Sequence, residues 1–99
     1  VSVFFTFDTA VSTTAVKYID SADFDRVVNL RSFTFSTAEH VYIGFSSSDV
    51  DFRLPDGGPG TEASDSPAVN IVLPAGQELW AKSSTGEPSL IAFVGGSPG

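Results

Sequence analysis

His40 is the single histidine of the chain, and there is no cysteine. A Ser–His–Asp system would have to use this imidazole as its general base. No Gly-x-Ser-x-Gly elbow is present to expose a serine. His40 follows the polar stretch "STAE" and precedes "VYIGF", so it reads as a strand-end residue. Zinc sites draw on Cys and His, so a zinc centre would need carboxylates for nearly all its ligands. Calcium is the better metal candidate, because hard cations take oxygen ligands from acidic loops. Asp20, Asp23 and Asp25 lie in one loop, and Asp49 and Asp51 are two apart. Yet "DSADFDRVVNLR" has no Gly at its sixth position and no Glu at its twelfth, unlike an EF-hand loop. These acids therefore read as solvated turn carboxylates. A carboxylate pair for glycoside hydrolysis is defined by separation in space, which no spacing here selects. "DGGPG" opens no helix and is followed by no lysine, so it reads as a flexible loop and not a phosphate cradle. Tyr42 and Trp80 are the candidates for a carbohydrate platform. Trp80 adjoins Leu79, so one of the two faces inward, and a core position for Trp80 is the favoured reading. The chain reads as a non-enzyme, with no catalytic residue, metal or cofactor.

The elements that must position these residues belong to one small domain. Ninety-nine residues fit a single domain, and 41% hydrophobic residues are enough for a globule. A net charge of −7 argues against nucleic acid, since phosphate binding needs clustered bases. The five bases, Lys17, Arg26, Arg31, Arg53 and Lys82, are scattered along the chain. No run approaches the roughly 20 apolar residues of a membrane span, so no membrane is expected. "VSVFFTFD" lacks the basic n-region and cleavage site of a signal peptide. A start at Val1 fits removal of an initiator methionine or other processing.

Alternation with a period of two dominates, as strands require. "VSVFFTF" places Val1, Val3, Phe5 and Phe7 on one face and Phe4 and Thr6 on the other. Further strands are expected near residues 13–19, 26–35, 41–45, 51–54, 69–73, 78–82 and 90–94. In the third, Val28, Leu30 and Phe33 should share a face. Gly44, near the end of its strand, signals a bulge or a close backbone approach. Residues 55–67 form the longest loop, and 95–99 a frayed tail. Residues 73–94, "LPAGQELWAKSSTGEPSLIAFV", read as a hairpin region, with Pro74–Gly76 as a tight turn. The expected fold is all-β: a single-domain β-sandwich or small barrel, jelly-roll-like, of about seven to eight short antiparallel strands.

The order "RVVNLR", "VYIG", "SDV", "LPAGQELWA" and "LIAFV" resembles small β domains among the minor structural proteins of tailed bacteriophages. The resemblance covers about two-thirds of the chain, residues 26–94; the loop after Val50 is longer than the pattern, and residues 1–19 lie outside it. It implies a virion structural protein, with capsid decoration (cement) as the best fit and a head-fibre or tail-associated role next. The implied partners are the major capsid protein or another virion protein, and further copies of the chain, as in a trimer. The implied location is the virion surface, after a soluble stage in the host cytoplasm. The edge expected to make the contact is the strand carrying Val1, Val3, Phe5 and Phe7, by strand pairing. The competing reading is a carbohydrate-binding module using Tyr42 and Trp80.

Overall fold

The computed structural model describes residues 3–62 and 65–96, Val3 by its backbone alone. Eight strands form: β1 (Val3–Ala10), β2 (Val16–Ile19), β3 (Arg26–Phe33), β4 (Val41–Gly44), β5 (Phe52–Arg53), β6 (Val69–Leu73), β7 (Leu79–Ser83) and β8 (Ser89–Gly96). They make two four-stranded antiparallel sheets, ordered β1-β8-β3-β6 and β2-β7-β4-β5. The pairs are nested: β1 with β8, β2 with β7, β3 with β6, β4 with β5. A long antiparallel ribbon rolled over on itself gives this order, which is that of a jelly roll. It is an open sandwich and not a closed barrel.

Nesting changes the meaning of the 73–94 stretch. β6 and β7 lie in different sheets, and so do β7 and β8. Neither turn closes a hairpin; each carries the chain across the sandwich. The Pro74–Gly76 turn has the expected left-handed glycine, with Gly76 at φ 83°. Its contacts explain the change of sheet. Gly76 N–H donates to the Ala22 carbonyl at 2.7 Å, and Ala75 N–H donates to Asp25 Oδ1 at 2.9 Å. The turn is thus held by the β2–β3 connection and not by pairing of its own flanks. Among the described strands, β4 and β5 are the only consecutive pair joined to each other.

The core is the inward row set of both sheets. Val28 and Leu30 of β3 face Val94 and Ala92 of β8 in register, and all four are buried with Leu73, Leu90, Val41, Ile43, Leu79 and Ala81. Val69 and Ile71 pack against this cluster as their alternation requires. Phe33 does not join it. An odd residue on a strand whose even residues are buried points outward, and Phe33 meets Phe35 edge-on at 5.0 Å. Gly95 and Gly96, expected in a frayed tail, are instead the last residues of β8, paired with β1 and β3; residues 97–99 lie outside the described residues.

Two polar groups lock the ends of the sandwich. Arg26 is buried, and its guanidinium donates to the carbonyls of Asp20 and, at 2.9 Å, Gln77. It ties the β2–β3 and β6–β7 connections together with charge-assisted bonds. At the other end the Glu39 carboxylate accepts the N–H groups of Phe35 (2.5 Å) and Ser36 (3.2 Å) and closes the β3–β4 turn. The 55–67 loop is pinned to this end: Gly60 N–H donates to the Thr34 carbonyl at 2.9 Å, and Ser32 Oγ donates to the Pro55 carbonyl at 3.3 Å.

Gly44 is the close approach that its position suggested. The 46–49 turn folds back so that a Cβ on Gly44 would sit 1.5 Å from the Asp49 carbonyl oxygen. Gly44→Ala is expected to cost about 2–4 kcal/mol through backbone displacement, read as a lower urea midpoint. An unchanged midpoint would mean that the turn does not lie on Gly44. A second prediction concerns alkali. Burial beside Phe7 raises the Tyr18 phenol above its ordinary pKa. Hydrogen bonds to Asp20 and then Glu78 raise the Lys17 ammonium. Groups with raised folded pKa values contribute fully below their unfolded values, about 10 and 10.4, and lose that contribution as pH rises through the folded ones. Stability should therefore fall above about pH 10, less steeply in Tyr18→Phe. Equal alkaline slopes for the two proteins would rule out the tyrosine contribution.

Candidate functional site

Each sheet turns one face outward, and the two faces differ in chemistry. On the β1-β8-β3-β6 sheet the register fixes the outward rows. Phe4, Gly95, Val27 and Val72 stand in one; Thr6, Phe93, Asn29 and Asn70 in the next; Asp8, Ile91 and Arg31 in the third. Phe4, Val27, Val72 and Phe93 are each more than half exposed. The Phe4 ring lies on bare Gly95 backbone, where a Cβ would come within 2.9 Å of it, and tilts against Phe93 at 6.5 Å. Asn29 Nδ2 donates to Asn70 Oδ1 at 2.8 Å, so the two amides satisfy each other beside the apolar row. A shallow depression of about 720 Å³ runs along Phe4, Val27, Asn29, Asn70 and Phe93. With strands about 4.8 Å apart and same-face rows about 7 Å apart, the three rows span roughly 14 by 14 Å between backbone positions, and the apolar part is the first row with Phe93 and Ile91 beside it. Exposed apolar side chains gathered on one face, rimmed by polar residues, mark interaction surfaces.

The patch is continuous with a free strand edge. A sheet edge invites pairing unless it is blunted. β2 has four residues and a register irregularity, β5 has two residues, and β6 is bounded by Pro67 and Pro74. β1 has eight residues in unbroken register with β8 and contains neither Lys nor Pro. Its other side is unpaired by any described strand. The strand expected to make contacts is therefore an edge strand. Its residues divide unevenly: Phe7 stacks on Tyr18 at 6.3 Å, whereas Phe5, one step further along, stays 42% exposed. Val1 lies outside the described residues, as does the side chain of Val3. Phe4 is the most exposed large apolar residue of the chain's described part, and it sits on the face opposite to the one the sequence singled out.

The outward face of the other sheet is aromatic and basic. Lys82, Tyr42 and Arg53 form one row across β7, β4 and β5. Lys17, Trp80 and Gly44 form the next across β2, β7 and β4. Trp80 is thus not a core residue. Leu79 takes the inward place with no exposure, and Trp80 lies half-buried outside, its Nε1 donating to Glu78 Oε1 at 3.2 Å. Lys17 is held by Asp20 and Glu78 at 3.0 and 3.2 Å. Three of five bases, scattered in sequence, meet on this face; only strand pairing reveals it.

The catalytic and metal candidates do not converge. His40 Nδ1 stands 3.5 Å from Asp56 Oδ2, both mostly buried, and Asp56 also accepts the Gly58 N–H at 2.9 Å. The start of the long loop is held instead by backbone contacts, Leu54 N–H donating to the Val41 carbonyl at 2.8 Å and Ser32 Oγ to the Pro55 carbonyl. The nearest serine partner, Ser84, bonds the His40 backbone and not the ring. Asp20 and Asp25 are engaged by Lys17 and by Ala75 N–H. Among the described residues no three His, Asp or Glu side chains come together as a metal site, and no helix is long and apolar enough to cross a membrane.

The face assignment is testable by stability. Val27→Ser and Phe93→Ser should each cost less than about 1 kcal/mol, as exposed positions do. Leu30→Ala should cost about 2–5 kcal/mol. Chemical denaturation measures both, and equal costs at Val27 and Leu30 would mean that the outer face is covered.

Comparison with protein-family models, with curated proteins and with solved structures finds no match for this chain.

Proposed function

We propose that this chain is a structural protein of a phage virion, of the capsid-decoration kind, acting through protein–protein contact and not through a reaction. The observation that carries the reading is the apolar outer face of the β1-β8-β3-β6 sheet running into the unblunted edge of β1. The face holds few charges on a chain of net charge −7, so a partner there is held by apolar burial. The resemblance of residues 26–94 to phage structural β domains supplies the partner, the major capsid protein or a neighbouring virion protein. A second copy of the chain would pair along β1. A decoration protein that binds the assembled shell and not the free subunit stabilises the shell by mass action. A small sandwich with one adhesive face is sufficient for that.

Particles that encode the chain should contain it in a fixed symmetric ratio to the shell subunit, by quantitative mass spectrometry. Shells stripped of it should lose heat resistance and regain it on adding back the wild type. Val27→Asp and Phe93→Asp proteins, folded by circular dichroism, should bind at least tenfold more weakly, a loss of about 1.4 kcal/mol or more. A handful of copies per particle would move the protein to a fibre or tail. Wild-type binding by both variants would sink the assignment of this face.

A further inference from the structure

The outward face of the second sheet carries a depression of its own. A groove of about 340 Å³ opens beside Tyr42, lined by Thr13, Asp51, Lys82 and Ser84 among others. Tyr42 stands between Lys82 and Arg53, each directly paired with it across the sheet. Among the described residues no salt bridge engages either base. Lys17, by contrast, has two carboxylates. On a chain with twelve acids and five bases, Lys82 in the groove wall and Arg53 on the far side of the Tyr42 ring outnumber the one carboxylate of the lining, Asp51.

We infer that this groove binds an acidic saccharide. A pyranose ring has an apolar C–H face that packs on an aromatic ring, and a phenol adds a polar tip at its edge. Its hydroxyls need both acceptors and donors, which Asp51 and Thr13 supply. A uronate carboxylate finds Lys82 in the groove wall, in a charge-assisted hydrogen bond stronger than a neutral one, with the Arg53 charge beyond the ring. The shape fits a small ligand: a concavity with one aromatic wall and a few convergent polar groups. Trp80 is not part of this wall. It stands in the next row, against Gly44, whose exposed side is covered by the Asp49 backbone. The site is separate from the apolar face, so its occupancy does not depend on shell binding.

The test is amide-shift titration of the full chain with a hyaluronan tetrasaccharide, which carries glucuronate, and with chitotetraose, which is neutral. The uronate oligosaccharide should shift the amides of Thr13, Tyr42, Asp51 and Lys82 with millimolar or better affinity. Lys82→Gln should weaken it roughly tenfold, Tyr42→Ala should abolish it, and both spectra should remain folded. Tyr42→Phe should retain binding, since the ring face is the platform. Equal binding of chitotetraose would overturn the charge selectivity. Equal binding of a tetraglutamate peptide would overturn the saccharide class. No shift, or shifts confined to other residues, would overturn the site.

Discussion

The register of β3 on β8 determines everything else in this molecule. Val28 opposite Val94 and Leu30 opposite Ala92 put four apolar side chains into the centre of the sandwich. A slip of β3 by one residue would exchange Val28 and Leu30 for Val27 and Asn29, and would bury an amide in place of a leucine. The same register creates the outer face. Because side chains alternate, fixing the core leaves Val27 and Phe93 outside, and pairing with β1 brings Phe4 beside them. The apolar patch is therefore not added to the fold but is the second consequence of the constraint that makes its core.

Nesting supplies a second consequence. A rolled ribbon leaves four edges, and this chain blunts three of them by shortness, irregular register or proline. The remaining edge, β1, adjoins the apolar rows, so an approaching partner meets backbone hydrogen-bonding groups and apolar side chains together. The Arg26 and Glu39 locks keep the connections at the two ends of the sandwich from loosening. Both use a charged side chain against backbone groups. That satisfies connections which strand pairing cannot reach, and it leaves the sheet faces for other contacts.

Much of this was legible in the sequence. Period-two alternation located all eight strands to within a few residues, because one buried face imposes that pattern whatever the partner. Gly44 announced a backbone contact that the Asp49 carbonyl makes. Pairing was not legible. "LPAGQELWA" has the turn chemistry of a hairpin, and nothing local says that Asp25 and Ala22 will take its N–H groups and send the chain to the other sheet. Trp80 was misplaced for a related reason. Of two adjacent large apolar residues one must face outward, and the choice follows from Ala81 and Ser83 being buried with Leu79 in the same alternation. Reading β7 as one five-residue parity and not as a pair of residues would have found it. Phe33 yields to the same argument, since its odd position on β3 places it with Val27 and Asn29.

The collection of three bases on one face was hidden because it depends on three separate pairings, β2 with β7, β7 with β4 and β4 with β5. Its physical effect follows from the rest of the charge. An acidic protein repels acidic ligands at long range, with screening beyond about 8 Å at physiological salt. Lys82 and Arg53 act within that distance, so the groove can select a carboxylate only once a ligand has approached. The aromatic ring between them holds the ligand at that range. Each part of the arrangement needs the other, which is why the Tyr42 row, and not the more conspicuous tryptophan beside it, is the place proposed for a small molecule on this sheet.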